Sequence, residues 1–335
     1  MRNVEANVLE LTLACGDYDR TRAIKDGRVR IEGCDVTFIP LGPEEVFFRS
    51  FRNAEFDICE LSFSSYMLQT SRNECHYVAV PAFVSRCFRH SSIYIRTDRG
   101  IRAPADLKGK LVGLPEYQMT AHVWIRGMLK DEYGVNASDI HFRNGGQEEP
   151  GRDERVVLKL PKEIDLQPIP AEETLCNMLV AGKLDALFTA REPSCFVDGA
   201  PNIGRLFPNY REDEKAYFKR TNLFPIMHLV GIRKTLADKH PWLPTSVYKA
   251  FLQARAIAMA DLPNLGALNV SLPWAEAEKL DTFALMGKDF WKYGVAENAR
   301  EIEAITRYSR EQGLAERRLT AEDLFYRGTL EMSKI

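Results

Sequence analysis

The sequence predicts an α/β protein of two lobes with a ligand cleft between them. Three observations carry the prediction. Short apolar strands alternate with short helices over the first hundred residues, a second such unit begins near Ile101, and a strand at Met227 to Ile232 leads into a run of helices. At 335 residues the chain has room for about two domains, each with its own core.

Leu9, Leu11 and Leu13 alternate into Cys15 and Gly16, so this stretch is a strand that ends at the loop Asp17-Tyr18-Asp19-Arg20. Val36 to Ile39 is a second strand, stopped by Pro40. Pro43 to Phe51 is helical, with Glu44 and Glu45 in its first turn, where acidic side chains complement the helix dipole. Phe56 to Cys59 is a strand running into Glu60-Leu61-Ser62, and Val78 to Val80 and Ile93 to Ile95 complete the first lobe.

In the second unit, Pro104 to Gly109 forms a short helical turn before the strand Leu111 to Leu114. From Tyr117 onward Ala121, Trp124, Ile125, Met128 and Leu129 fall at helical spacing, and Gly134 is the stop. After a polar, glycine-containing stretch from Asn144 to Arg155, Leu175, Met178 and Leu179 repeat the helical pattern, Gly182 ends it, and Ala186 to Thr189 returns as a strand. Helices follow at Thr245 to Asp261, Trp274 to Leu285, Glu297 to Gln312 and Thr320 to Phe325, the last opened by Thr320 and Asp323 as a capping box. This order places residues 1–98 and 225–335 in lobe 1 and 99–224 in lobe 2.

Composition narrows the function classes. With 45% hydrophobic and 27% charged residues the chain is globular rather than disordered. A formal charge of −2 supplies no basic field for nucleic acid or an anionic membrane, so any anion binding must be local. No apolar run approaches the ~18 residues of a membrane span, and the first residues lack the pattern of a secretory leader, so the expected location is the cytoplasm. Seven cysteines with no C-x-x-C pair read as reduced thiols.

Polar clusters at expected strand ends are the candidates for chemistry, since open α/β sheets put ligand-contacting loops there. In Asp17-Tyr18-Asp19-Arg20, Arg20 can pair with a carboxylate and Asp17 can orient it; the alternative is a surface turn. Glu60 to Tyr66 passes from strand to helix, where Ser64 and Ser65 either donate to an anion or merely cap the helix. Arg86-Cys87-Phe88-Arg89-His90 sets two guanidinium groups beside an imidazole, a pattern suited to carboxylate capture with proton transfer or to an ordinary charged surface.

In the second lobe, Glu116 and Tyr117 precede a helix, and Gln147, Glu148 and Glu149 lie in a flexible loop where adjacent carboxylates can raise one another's pKa. A dipole-complementing glutamate and an exposed acidic loop are the plain alternatives. Thr189 and Arg191 follow a strand, and His228 begins one amid apolar neighbours, either as a catalyst or as a core histidine. No G-x-G-x-x-G, P-loop, G-x-S-x-G or H-E-x-x-H is present, so no organic cofactor is expected. A divalent metal held by ligands distant in sequence leaves no local mark, and a metal site is left open.

The strings LACGDYDRTRAIKDGRV, FDICELSFSSYM, SRCFRHSSIYI, DLKGKLVGLPEYQMTAHVWIRG, GGQEEPGR, DALFTAREPS, LFPIMHLVGIRK and GKDFWKYG together resemble the 4,5-dihydroxyphthalate decarboxylase family over nearly the whole chain. The resemblance implies a type II periplasmic-binding-protein-like fold. It also implies non-oxidative loss of one carboxylate from a dihydroxylated aromatic dicarboxylate, giving 3,4-dihydroxybenzoate and carbon dioxide in phthalate breakdown. Such a reaction needs a base near a hydroxyl, an acid over the ring carbon and cations on the carboxylate that stays.

On that reading Arg20, Arg86, Arg89 and Arg191 are the candidate clamps, with Ser64 and Ser65 as neutral donors and Asp17, Glu60, Tyr117, Gln147 and Thr189 as further substrate contacts. His90 and His228 are the first choices for proton transfer, ahead of Glu116 and Glu148, whose carboxyl pKa would have to rise by about two units. The competing reading is a binding protein that closes over a small carboxylate without changing it. The expected partner is a small aromatic dicarboxylate, and the C-terminal helices offer surface for a homo-oligomer.

Overall fold

A computed structural model describes residues 8–262 and 270–332. Its strands, in chain order, are β1 (Leu9–Cys15), β2 (Cys34–Pro40), β3 (Ile58–Ser62), β4 (Tyr77–Arg86), β5 (Ile93–Arg96), β6 (Leu111–Leu114), β7 (His141–Asn144), β8 (Asp165–Pro168), β9 (Ala186–Phe188), β10 (Ile203–Arg205) and β11 (Ile226–Arg233). They form two sheets, one in the order β2-β1-β3-β11-β4 and the other β10-β5-β9-β6-β7-β8. Each sheet is the centre of one lobe.

In the first sheet β1 pairs in parallel with β2 and β3, while β11 runs antiparallel between β3 and β4. The central strands are apolar on both faces, with Leu13, Ile58, Leu61, Val80 and Leu229 all buried, as a sheet covered on both sides requires. The chain leaves this sheet at the end of β4 and returns to it at β11. The two crossings touch where the Cys87 amide donates to the Pro225 carbonyl at 3.1 Å.

One expected assignment changes. The sequence order puts Ile93 to Ile95 in the first lobe, but β5 pairs with β9 and β10 in the second sheet, so the chain has already crossed by residue 93. Alternation identifies a strand; it does not name the strand's partner. The helix expected from Tyr117 starts at Thr120, because the Tyr117 and Gln118 amides donate to the Glu154 carboxylate at 2.5 and 3.4 Å and hold that stretch as a loop.

The C-terminal segment ties the lobes together. The helix Ala299–Glu311 lies against the helix Thr120–Tyr133, and Gly127 admits the Tyr308 ring, which a Cβ there would meet at 2.3 Å. Beside it the buried Arg126 donates to Gln312 Oε1 at 2.8 Å and to the Tyr117 carbonyl at 2.7 Å. Trp124 Nε1 reaches back across the lobes to the Ile226 carbonyl at 2.8 Å.

Candidate active site

Glu60 sits in the middle of β3 with no solvent exposure, so its carboxylate must find partners inside the protein. The antiparallel pairing sets Val230 opposite Glu60 and His228 opposite Ser62, which brings His228 diagonally across from Glu60 on the same face. His228 Nδ1 lies 2.6 Å from Glu60 Oε1. The Tyr18 hydroxyl donates to the same oxygen at 2.9 Å, and the Gly16 amide donates to Oε2 at 3.0 Å, with Cys15 Sγ at 3.5 Å.

Burial alone would raise the Glu60 pKa, but the bonds from His228, Gly16 and Tyr18 overturn it and hold the carboxyl below its usual range. Glu60 is therefore an anion, and an anion only accepts. The Nδ1 of His228 must carry the proton it donates, which leaves Nε2 as the nitrogen free to exchange one. Burial and the Glu60 charge push the Tyr18 phenol upward, so Tyr18 stays a donor. The His228 side chain keeps 18% exposure and packs edge-on against Phe47, with ring centres 4.8 Å apart.

Two arginines are held by residues next to this group. Arg20 lies between the Tyr18 and Trp291 rings, 4.3 and 4.2 Å from their centres, with Nε donating to the Val84 carbonyl at 2.6 Å. Arg89 is held loosely, by Met227 Sδ at 3.4 Å and the Ala190 carbonyl at 3.5 Å, and so retains most of its donors. Ala190 in turn lines an inter-lobe cavity of about 640 Å³, bounded by Glu44 and Phe48 from lobe 1 and by Met119, Gln147, Arg152 and Arg191 from lobe 2. A cavity of this size accommodates a substituted benzene ring with its carboxylates.

A second buried carboxylate lies in the other lobe, behind the cavity-lining Arg152. Glu116, also without exposure, accepts from Arg152 Nε and Nη2 at 3.1 and 2.5 Å and from Arg155 Nη2 at 3.0 Å. Nearby, burial pushes Glu154 up to about 7, reinforced by the Glu116 charge and against the pull of the Tyr117 and Gln118 donors. Among the described residues, no group of three or more His, Cys, Asp or Glu is placed to hold a metal ion, and no helix is long and apolar enough to cross a membrane.

No family model matches the sequence. Curated relatives do. The chain is 48% identical over 327 residues to the 4,5-dihydroxyphthalate decarboxylase of Comamonas testosteroni, covering 98% of this chain and 99% of that protein. The chain belongs to the 4,5-dihydroxyphthalate decarboxylase family. It is also 52% identical over 201 residues to the Pseudomonas putida protein of the same name, covering 60% of this chain and 78% of that one. Among solved structures, the periplasmic aliphatic sulphonate binding protein SsuA from Escherichia coli superposes with a TM-score of 0.52 at 12% identity, over 96% of this chain and 98% of that one. A sulfonate-binding protein from Methylobacillus flagellatus gives 0.51 at 12% identity, over 95% and 92%. These two establish the fold of this decarboxylase-family chain, the two-lobed periplasmic-binding-protein type.

The structure sorts the residues singled out in the sequence. It joins Glu60 to His228 directly and to Arg20 through Tyr18, sets Arg89 against Met227, and places Gln147, Glu148 and Arg191 around the inter-lobe cavity with Thr189. Thr189 hydrogen-bonds Gln147 Oε1, and Gln147 donates to Glu148 at 2.9 Å. Ser64 and Ser65 are buried in the seam between lobes, where the Ser64 amide donates to Thr120 Oγ1 at 3.1 Å and Ser65 Oγ to Gln118 Oε1 at 3.1 Å.

Others lie elsewhere. Asp17 is exposed and pairs with Lys25 at 2.5 Å and Arg22 at 3.5 Å, so it does not orient Arg20. Arg86 is buried and spent on structure: it binds the carbonyls of Phe224 and Lys292 at 2.8 and 2.7 Å and also Asn298 Oδ1. His90, expected to transfer protons, is wedged between the Phe207 and Tyr217 rings, both nitrogens lacking protein partners; burial and then Arg220 push its pKa down to about 4. Tyr117 is buried under Arg126 and donates to the Gln312 carbonyl at 3.2 Å.

The two glutamates considered as proton donors are held as anions or ion pairs. Burial would raise Glu148, yet donors from Ser194, Gln147 and Cys176 leave it below its usual range, and Glu116 is tied to two arginines. Sequence reading did not place Tyr18, Glu44, Arg152, Arg155 or Glu154 among the site residues, and took Glu44 only as a first-turn acid of its helix. The signal available was the alternation of arginine and acid in Arg152-Asp153-Glu154-Arg155, a loop able to satisfy a buried glutamate.

Proposed function

We propose that this chain is a carboxy-lyase that converts 4,5-dihydroxyphthalate, or a close hydroxylated aromatic dicarboxylate, to 3,4-dihydroxybenzoate and carbon dioxide in phthalate degradation. The observation that carries the mechanism is the 2.6 Å contact of His228 Nδ1 with the buried Glu60, which leaves one histidine nitrogen for proton exchange, with Arg20 held by the neighbouring Tyr18 ring and Arg89 by Met227. Nε2 withdraws the proton of the hydroxyl para to the departing carboxylate, and electron density moves toward the ring carbon that bears it. That carbon takes up a proton. Its bond to the carboxylate then breaks, carbon dioxide leaves, the bonding pair restores the aromatic ring, and the hydroxyl is reprotonated. The net reaction consumes one proton from solvent.

Arg89 and Arg20 supply the positive charge that holds the carboxylate that stays, and Arg191 lies at the cavity that takes the rest of the substrate. Glu60 keeps His228 in the required tautomer and stabilises its cationic form, as a carboxylate does for a catalytic imidazole. All seven cysteines are free, which supports a reducing, cytoplasmic setting.

The direct test is incubation of the purified protein with 4,5-dihydroxyphthalate, with and without a chelator. Formation of 3,4-dihydroxybenzoate and carbon dioxide in equal amounts supports the assignment. Substrate bound tightly and recovered intact makes the protein a binding module instead, and turnover lost only with chelator adds a metal requirement.

A further inference from the structure

We propose that Glu44 is an internal carboxylate that occupies Arg152 and Arg191 until a carboxylate of the substrate displaces it, so that it sets the selectivity for dicarboxylates. The ligand class rests on the function proposed above; the geometry does not. Glu44 belongs to the first turn of the lobe 1 helix Pro43–Asn53, whereas Arg152 and Arg191 come from two separate loops of lobe 2. Glu44 Oε2 lies 3.1 Å from Arg152 Nη1 and 3.7 Å from Arg191 Nη2, and all three side chains line the inter-lobe cavity.

The two arginines are held differently. Arg152 is fixed from behind by Glu116 through Nε and Nη2, so its position does not depend on Glu44 and only Nη1 is given to it. Arg191 has a side chain 68% exposed, with Glu44 as its one side-chain partner among the described residues. Displacing Glu44 thus exposes a positioned N–H edge and a whole guanidinium, the donors a carboxylate uses best. Glu44 itself is one-third exposed at a helix start, where water and the helix dipole stabilise it once it swings away.

A dicarboxylate can place one group where Glu44 was and the other on Arg89, whose Nη1 lies 3.5 Å from the carbonyl of the cavity-lining Ala190. A monocarboxylate cannot do both.

The test compares Glu44→Gln with the unaltered protein in calorimetric titrations of phthalate, which lacks the hydroxyls the reaction needs, and of benzoate. The expected result is phthalate binding tighter by about 3- to 5-fold, the scale of freeing a half-exposed ion pair, with benzoate moved less. For 4,5-dihydroxyphthalate the gain appears in KM rather than in kcat. In an Arg191→Gln background the Glu44→Gln gain shrinks. Unchanged or weaker phthalate binding by Glu44→Gln overturns the proposal, as does no phthalate binding by either protein, or an equal gain for benzoate. If Glu44→Gln fails to fold, Glu44→Asp, too short to span the same gap, is expected to tighten phthalate in the same direction. Because phthalate binding is read without turnover, a protein that binds as described but never releases carbon dioxide refutes the decarboxylase assignment alone.

Discussion

Glu60 and Glu116 are both carboxylates with no solvent exposure, one in each lobe, and they differ in what surrounds them. Glu60 is satisfied by an imidazole, a phenol and a backbone amide, while Glu116 is satisfied by two guanidinium groups. Guanidinium does not give up its proton in a protein, whereas imidazole exchanges one near neutrality. Burial by itself therefore says nothing about catalysis. The partner decides whether a buried carboxylate organises proton transfer or only anchors a loop.

The contrast can be broken by exchanging each glutamate for its amide. Glu60→Gln removes the anion that holds His228 and is expected to cut turnover by about 10²- to 10⁴-fold, the range of a general acid–base contribution. Turnover within a few-fold of normal would take Glu60 out of the mechanism. Glu116→Gln leaves the buried Arg155 without its charge partner and is expected to cost about 3–5 kcal/mol of stability, read as a lower urea midpoint. An unchanged midpoint would show that the arginines need no anion there.

Two further substitutions sharpen it. His90 has no carboxylate beside it, and burial holds its pKa at about 4 in the folded state, below the unfolded value of about 6.5. The unfolded chain therefore binds the proton first. The stability this neutral ring contributes is complete above pH 6.5 and is lost as the pH falls toward 4, by about 1.4 kcal/mol per pH unit. His90→Phe should flatten that part of the acid dependence in urea unfolding at pH 7 and pH 5, and an unaltered slope would assign it to other groups. Arg89, loosely held where Arg155 is locked, is available to a ligand; Arg89→Ala should raise KM for the dicarboxylate about 10-fold with little change in melting temperature. A normal KM would remove it from the clamp.

Much of the fold was legible because the strands and amphipathic helices carry their own periodicity: β1, β2, β6 and β11, and the helices Leu243–Asp261 and Ala299–Glu311, fall where alternation and helical spacing put them. The helix Tyr210–Thr221 was not, since Tyr217 is its one buried residue and no apolar stripe marks it. Partnership was legible only in part. The run from Arg86 to His90 looks like one polar cluster, yet the chain crosses between sheets there. Arg86 turns toward the C-terminal segment, Arg89 toward the cavity and His90 into an aromatic slot. Conversely, Glu60 and His228 stand 168 residues apart and meet only because β11 inserts antiparallel beside β3. No local pattern encodes that meeting.

The central claim, that the Glu60-held His228 carries the proton, is tested most directly by His228→Asn, with turnover of 4,5-dihydroxyphthalate and phthalate affinity measured on the same preparation. The account predicts product formation slowed by about 10²-fold or more while phthalate still binds within a few-fold of the unaltered protein. Near-normal product formation by the variant would contradict it.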